Sequence, residues 1–165
     1  MKFKSCEINS QLAKYIQSIF HYNDFVPSHS IERVVPTGNI FILVELDNFE
    51  RKTYNNDLAP VSSYKKAWIS GMQQKFINIS AHQNSEMLVI QFKPYGLYPF
   101  LHKPVSQLLH KTVSQLLNNK VVATTDYFGN ELIEAREEII RFEEIKYNLS
   151  RKNTLLINHP LIKEG

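Results

Sequence analysis

A chain of 165 residues has room for one domain with a real core and too little for two comfortable ones. Its 43% hydrophobic and 12% aromatic content excludes a disordered composition, and its net charge of +3 is spread along the sequence rather than gathered into the basic stripe of a nucleic-acid-binding domain. Apolar runs such as Ile40 to Val44 are far below membrane-spanning length, the N-terminus has no signal-peptide core, and a single cysteine, Cys6, excludes an internal disulfide, so no membrane partner and a cytoplasmic setting are expected.

Asn9 or Ser10 can cap a helix that carries Leu12, Tyr15, Ile16, Ile19 and Phe20 at helical spacing. Because Ile16 to Tyr22 is also rich in Ile, Phe and Tyr, the expectation is a short helix that gives way to extended chain. Ser30 to Val35 alternates weakly and ends at the turn signal Pro36-Thr37-Gly38-Asn39. Asn39 to Leu46 is then a nearly continuous apolar strand, as expected for burial on both faces, and the two strands read as a β-hairpin. Asn48 to Ser63 is polar, contains Asn55-Asn56-Asp57 and Pro60, and reads as a hairpin tip or loop. Three more strands are predicted at Lys66 to Ser70, Lys75 to Ile79 and Glu86 to Phe92, with turns at Gly71-Met72-Gln73 and Ala81 to Ser85. Five or six strands at this spacing suggest a sandwich or small barrel.

The chain turns helical at Phe92-Lys93-Pro94-Tyr95-Gly96-Leu97-Tyr98-Pro99-Phe100-Leu101. Pro94 stops the strand, Gly96 is free to take a positive φ, and Pro99 suits the first turn of a helix. Leu97 to Lys103 is one predicted short helix, and Pro104 opens another with Leu108 and Leu109. After the polar break Asn118-Asn119-Lys120, the Thr124-Thr125-Asp126 group supplies a cap for a further helix. There Leu132, Ile133, Ile139, Ile140 and Ile145 form an apolar stripe. Glu134, Glu137, Glu138 and Glu144 interleave with Arg136, Arg141 and Lys146 on what reads as a solvated face. The fold class expected is α+β: a β-barrel or cupin-like sheet domain with a C-terminal helical layer.

Recognisable catalytic chemistry is absent from the pattern. There is no Walker-type phosphate loop, no glycine-rich dinucleotide fingerprint, and Ser70-Gly71 lacks the glycine a nucleophile elbow needs two residues earlier. The six histidines stand far apart with no His-x-His or His-Glu-x-x-His spacing, so neither a metal nor a cofactor is expected and the chain does not read as an enzyme. A binding pocket has more support. Phe41, Trp68, Phe92 and Tyr95 lie on or just after strands, and Glu45 shares a strand face with Phe41 and Leu43. The candidate ligand-binding set is therefore Phe41, Glu45, Trp68, Phe92 and Tyr95, with core packing as the alternative role for each aromatic.

The order of Val34-Val35-Pro36-Thr37-Gly38, the strand Ile40 to Glu45, Ile69-Ser70-Gly71, Phe92-Lys93-Pro94-Tyr95-Gly96, Pro104 and Asp126-Tyr127-Phe128-Gly129 resembles the N-terminal domain of one group of AraC-type bacterial transcription regulators. Thr37 departs from the aspartate that many members carry there, and Phe41 from an acidic residue found in some. The resemblance implies that residues 1–157 form a regulatory domain that senses a small-molecule effector, forms a homodimer, or both. It also implies that residues 158–165, Asn158 to Gly165, begin the linker to a helix-turn-helix domain that would make all contact with DNA. The competing expectation is a stand-alone cupin-like small-molecule-binding protein or metal-dependent enzyme.

Overall fold

The structure, a computed structural model, describes residues 1–101, 117, 119–141, 144 and 147. Ten strands occur among them: β1 (Lys2–Ser5), β2 (Ile16–Phe25), β3 (Ile31–Val34), β4 (Ile40–Glu45), β5 (Arg51–Tyr54), β6 (Pro60–Tyr64), β7 (Ala67–Ser70), β8 (Ile77–Ser80), β9 (Ser85–Phe92) and β10 (Val121–Ala123). Short 3₁₀ turns stand at Leu12–Lys14 and Tyr98–Phe100, followed by helix α1 (Thr125–Phe128). Residues 131–141 are helical, as are 144 and 147, and are called α2.

The strands form two open antiparallel sheets. The larger has the order β1-β2-β9-β4-β7-β10 and the smaller β3-β8-β5-β6. The chain is thus mostly antiparallel β with a small C-terminal helical part, in keeping with α+β. Among the described residues neither sheet closes on itself as a barrel would.

Strand β4 sits in the middle of the large sheet, paired with β9 on one side (Leu43 opposite Val89) and β7 on the other (Leu43 opposite Trp68). Successive residues of a strand point to opposite faces. Ile40, Ile42 and Val44 therefore face one way, with Ala67, Ile69 and Phe92 from the neighbouring strands, and join Leu97, Leu101, Leu117 and Phe128 in the main core. Leu132 and Ile133 of α2 pack against that core, which the helical part covers. Phe41, Leu43 and Glu45 face the other way, towards the small sheet.

The hairpin expected from Ser30 to Leu46 does not form. β3 pairs with β8 in the small sheet, whereas β4 lies in the large one, so the Pro36-Thr37-Gly38-Asn39 turn carries the chain between sheets. Gly38 in this turn has φ +74°, in the left-handed region that favours glycine. The polar stretch 48–63 is not a loop: it folds as the β5–β6 hairpin around a turn in which Asn55 Oδ1 accepts from the amides of Asp57 and Ala59. Near the N-terminus Gln11 is the cap residue of the first 3₁₀ turn, Asn9 Oδ1 accepts from Leu12 N at 2.9 Å just ahead of it, and β2 takes over at Ile16.

At the strand-to-helix junction the requirement for Gly96 is steric. Its φ is not positive; a Cβ there would stand 1.8 Å from the Tyr15 carbonyl oxygen. The helix predicted from Leu97 appears as a 3₁₀ turn at Tyr98–Phe100. The helix predicted from Pro104, the side chain of Ile145 and the tail Asn158 to Gly165 lie outside the described residues. On α2 the solvated-face reading fails at Arg136, which is only 4% exposed. Its Nε donates to the main-chain carbonyl of Glu45 and its Nη2 to that of Asp47 at 2.9 Å.

Candidate functional site

Two twisted sheets facing each other normally interdigitate their side chains into a closed core. Here they leave a cavity of about 310 Å³ between them. From the large sheet its walls are Phe20, Tyr22 and Phe25 of β2, Phe41 and Leu43 of β4, Trp68 and Ser70 of β7, and Met87 and Val89 of β9. Val34, Ile77 and Ile79 face them from the small sheet, with Glu32 and Arg51. Register explains the convergence. Leu43 lies opposite both Val89 and Trp68, so strand alternation brings the three side chains to one face. A register shift between Tyr22 and Phe25, with Asp24 at φ 53°, turns Phe25 to the same side as Tyr22.

Beside the apolar walls lies a buried ionic cluster. Arg51 Nη2 donates to Glu45 Oε2 and to Asp47 Oδ2, both at 2.8 Å, and its Nη1 donates to Ser85 Oγ at 3.2 Å. Glu45 Oε1 accepts from the Trp68 indole N–H at 2.8 Å, and Asp47 Oδ2 also accepts from the Glu86 amide. Glu45 is 0% exposed and Arg51 2%. Burial pushes the Glu45 carboxyl above the usual carboxylate range, against the opposing pull of the Arg51 hydrogen bond and charge. For Arg51 burial works against the charge, but the bond to Glu45 and the two nearby carboxylates outweigh it and hold the guanidinium above its ordinary value. Tyr22, in the cavity wall, is pushed up to about 12, chiefly by burial and then by the Glu45 charge. Its hydroxyl donates to Met87 Sδ at 3.3 Å.

Of the five residues expected in the site, the structure brings Phe41 and Trp68 together in the cavity wall. Glu45 stands beside them, bound to the Trp68 indole and screened from the cavity by its partners. Phe92 is on the opposite face of β9 from Val89, three residues away, and packs in the main core. Tyr95 lies in the turn after β9 and is 66% exposed, away from the cleft. Arg51 and Tyr22 were not singled out from sequence. Arg51 sits in a polar stretch whose neighbours give no apolar alternation, and Tyr22 in a segment where helix and strand patterns overlap. Among the described residues no three His, Cys, Asp or Glu side chains stand together as metal ligands, and no helix is long and apolar enough to cross a membrane.

A family model described as a domain of unknown function, DUF6597, matches residues 8–114, more than half of the chain and every strand that lines the cleft. The chain belongs to the DUF6597 family. No curated protein and no solved structure matches it. The DUF6597 segment contains Glu45, Asp47, Arg51 and Trp68, while Arg136, which holds the main chain of Glu45 and Asp47, comes from outside it.

Proposed function

We propose that this chain is the effector-sensing domain of an AraC-type transcription regulator, with a small molecule bound in the cleft between the two sheets. One observation carries the reading: a cavity of about 310 Å³ with aromatic and aliphatic walls and a few polar side chains, the size and character of a small-molecule site. The ordered resemblance of its motifs to the AraC-type N-terminal domain supports the regulatory part, and the cupin-like architecture implied by that resemblance belongs to the same reading. Under this proposal the domain acts as a cytoplasmic homodimer, and DNA is contacted through a separate helix-turn-helix half.

A ligand regulates only by favouring one arrangement of the protein over another. The cluster beside the cleft offers a physical route, because Arg51 lines the cavity and binds Glu45 and Asp47, whose carbonyls are held by Arg136 of α2. Displacement of Arg51 by a bound molecule would be felt by the helix through residues 45 to 47.

The test fills the cleft in the whole gene product. Ala81 is part of the cavity lining, and Ala81→Trp should leave the folded protein at its promoter in every growth condition, while the wild type changes its occupancy between conditions. Promoter footprinting of the two proteins gives the answer. A folded Ala81→Trp protein that responds as the wild type does would overturn the sensing role.

A further inference from the structure

Among the described residues two buried side-chain polar atoms lack a hydrogen-bond partner, and one of them, Arg51 Nε, belongs to a residue that lines the cleft. A buried N–H without an acceptor is costly, and this one belongs to a side chain whose other nitrogens are engaged: Nη2 holds Glu45 and Asp47, and Nη1 holds Ser85. Tyr22 is a second donor in the same wall, and its hydroxyl is given to the thioether of Met87, a weak acceptor. Two poorly satisfied hydrogen-bond donors therefore belong to residues of the cleft lining, among aromatic and aliphatic side chains. Arg51 Nε is itself closed to solvent, so a ligand reaches it as the Arg51 side chain shifts.

We propose that the cleft binds an uncharged, largely apolar molecule carrying one oxygen acceptor, a ketone, ester or lactone carbonyl, which takes the Arg51 Nε–H and the Tyr22 hydroxyl. This rests on the cleft being a ligand site and names the class of its ligand. The charge argument disfavours an ionic group placed at Arg51. The Arg51 guanidinium already faces two carboxylates at 2.8 Å, so an incoming anion would add a third negative charge to a neutralised cation in a poorly hydrated site. An incoming cation placed beside Arg51 would meet the guanidinium, while Glu32, the other charged residue of the lining, stands on β3 of the small sheet. A neutral carbonyl meets neither penalty and satisfies the orphaned donor. The cavity, equal to roughly ten waters at about 30 Å³ each, suits a molecule with one ring and a short chain.

Four probes of nearly equal shape separate the possibilities: butyrophenone, butylbenzene, 4-phenylbutyrate and 4-phenylbutylamine. The single tryptophan, Trp68, is in the cavity wall, so its fluorescence reports binding without a label. Butyrophenone should bind at least roughly fivefold more tightly than butylbenzene, the worth of about one net hydrogen bond, and more tightly than either charged probe. Binding should move the Arg51 Nε–H resonance, assigned by its loss in Arg51→Lys or, if that variant does not fold, by through-bond experiments on the wild type. Tyr22→Phe should weaken butyrophenone by roughly threefold or more and leave butylbenzene unchanged. Equal binding of ketone and hydrocarbon with no shift of that resonance, or tighter binding of the carboxylate or amine, would overturn the ligand class and leave the cleft as a site. Failure of all four to bind would overturn the cleft reading as well.

Discussion

Glu45 is gripped by three residues. Arg51 and Trp68 take its carboxylate oxygens, and Arg136 takes its main-chain carbonyl. Tyr22 nearby senses the same field, and its behaviour in alkali gives a clean measurement. The folded tyrosine keeps its proton to about 12, against 10.0 for a free one. Between those values the unfolded chain releases the proton first, so the contribution of Tyr22 to stability is whole below pH 10 and declines as pH rises towards 12. Urea unfolding at pH 9 and pH 11 should show the stability difference between wild type and Tyr22→Phe shifting by about 1 kcal/mol in favour of the variant. An unchanged difference would mean that the phenol is not shielded. Glu45 was visible at this scale because strand alternation places it with Phe41 and Leu43. Its partner Arg51 was not, since an arginine flanked by Glu50 and Lys52 looks like any exposed strand position until a second sheet covers it.

Strand β4 has two buried faces with different surroundings, and truncating one side chain on each tells them apart. Ile42, 2% exposed, is in the closed main core, and Ile42→Ala should cost about 2–5 kcal/mol. Leu43 already borders empty space, so Leu43→Ala enlarges a cavity rather than opening one and should cost less than Ile42→Ala. Denaturant titration ranks the two, and an equal or larger loss at Leu43 would show that the cleft is packed solid. The strands of the large sheet were legible as strands, but their faces were less so. Glu86 to Phe92 is apolar at Met87, Leu88, Val89, Ile90 and Phe92 because both of its faces are covered, and a segment apolar on both faces carries no parity signal. Phe92 was therefore assigned to the cleft although it shares a face with Leu88 and Ile90. The β3–β4 connection fails differently: Pro36 to Asn39 encodes a turn, and nothing local says which sheet each flanking strand will join.

On the scale of the whole molecule, the proposal of a regulatory homodimer is tested by the mass of the chain in solution. Multi-angle light scattering at concentrations well above cellular levels should give twice the 19.3 kDa of one chain; a monomer mass throughout would count against it. The two sheets and the helical part divide the molecule into a closed side and an open side, with the large sheet as the wall between them. Every cluster residue except Arg136 comes from the strands or their connections, and Arg136 reaches the cluster from the helical side. Two of its three bonds are to peptide carbonyls, which neither titrate nor carry a net charge for dissolved ions to screen. Acid that protonates Glu45 alters what Arg51 holds and leaves those two bonds of Arg136 in place. The fastening between helix and sheet is thus set to outlast swings in acidity and ionic strength that act on the cleft alone.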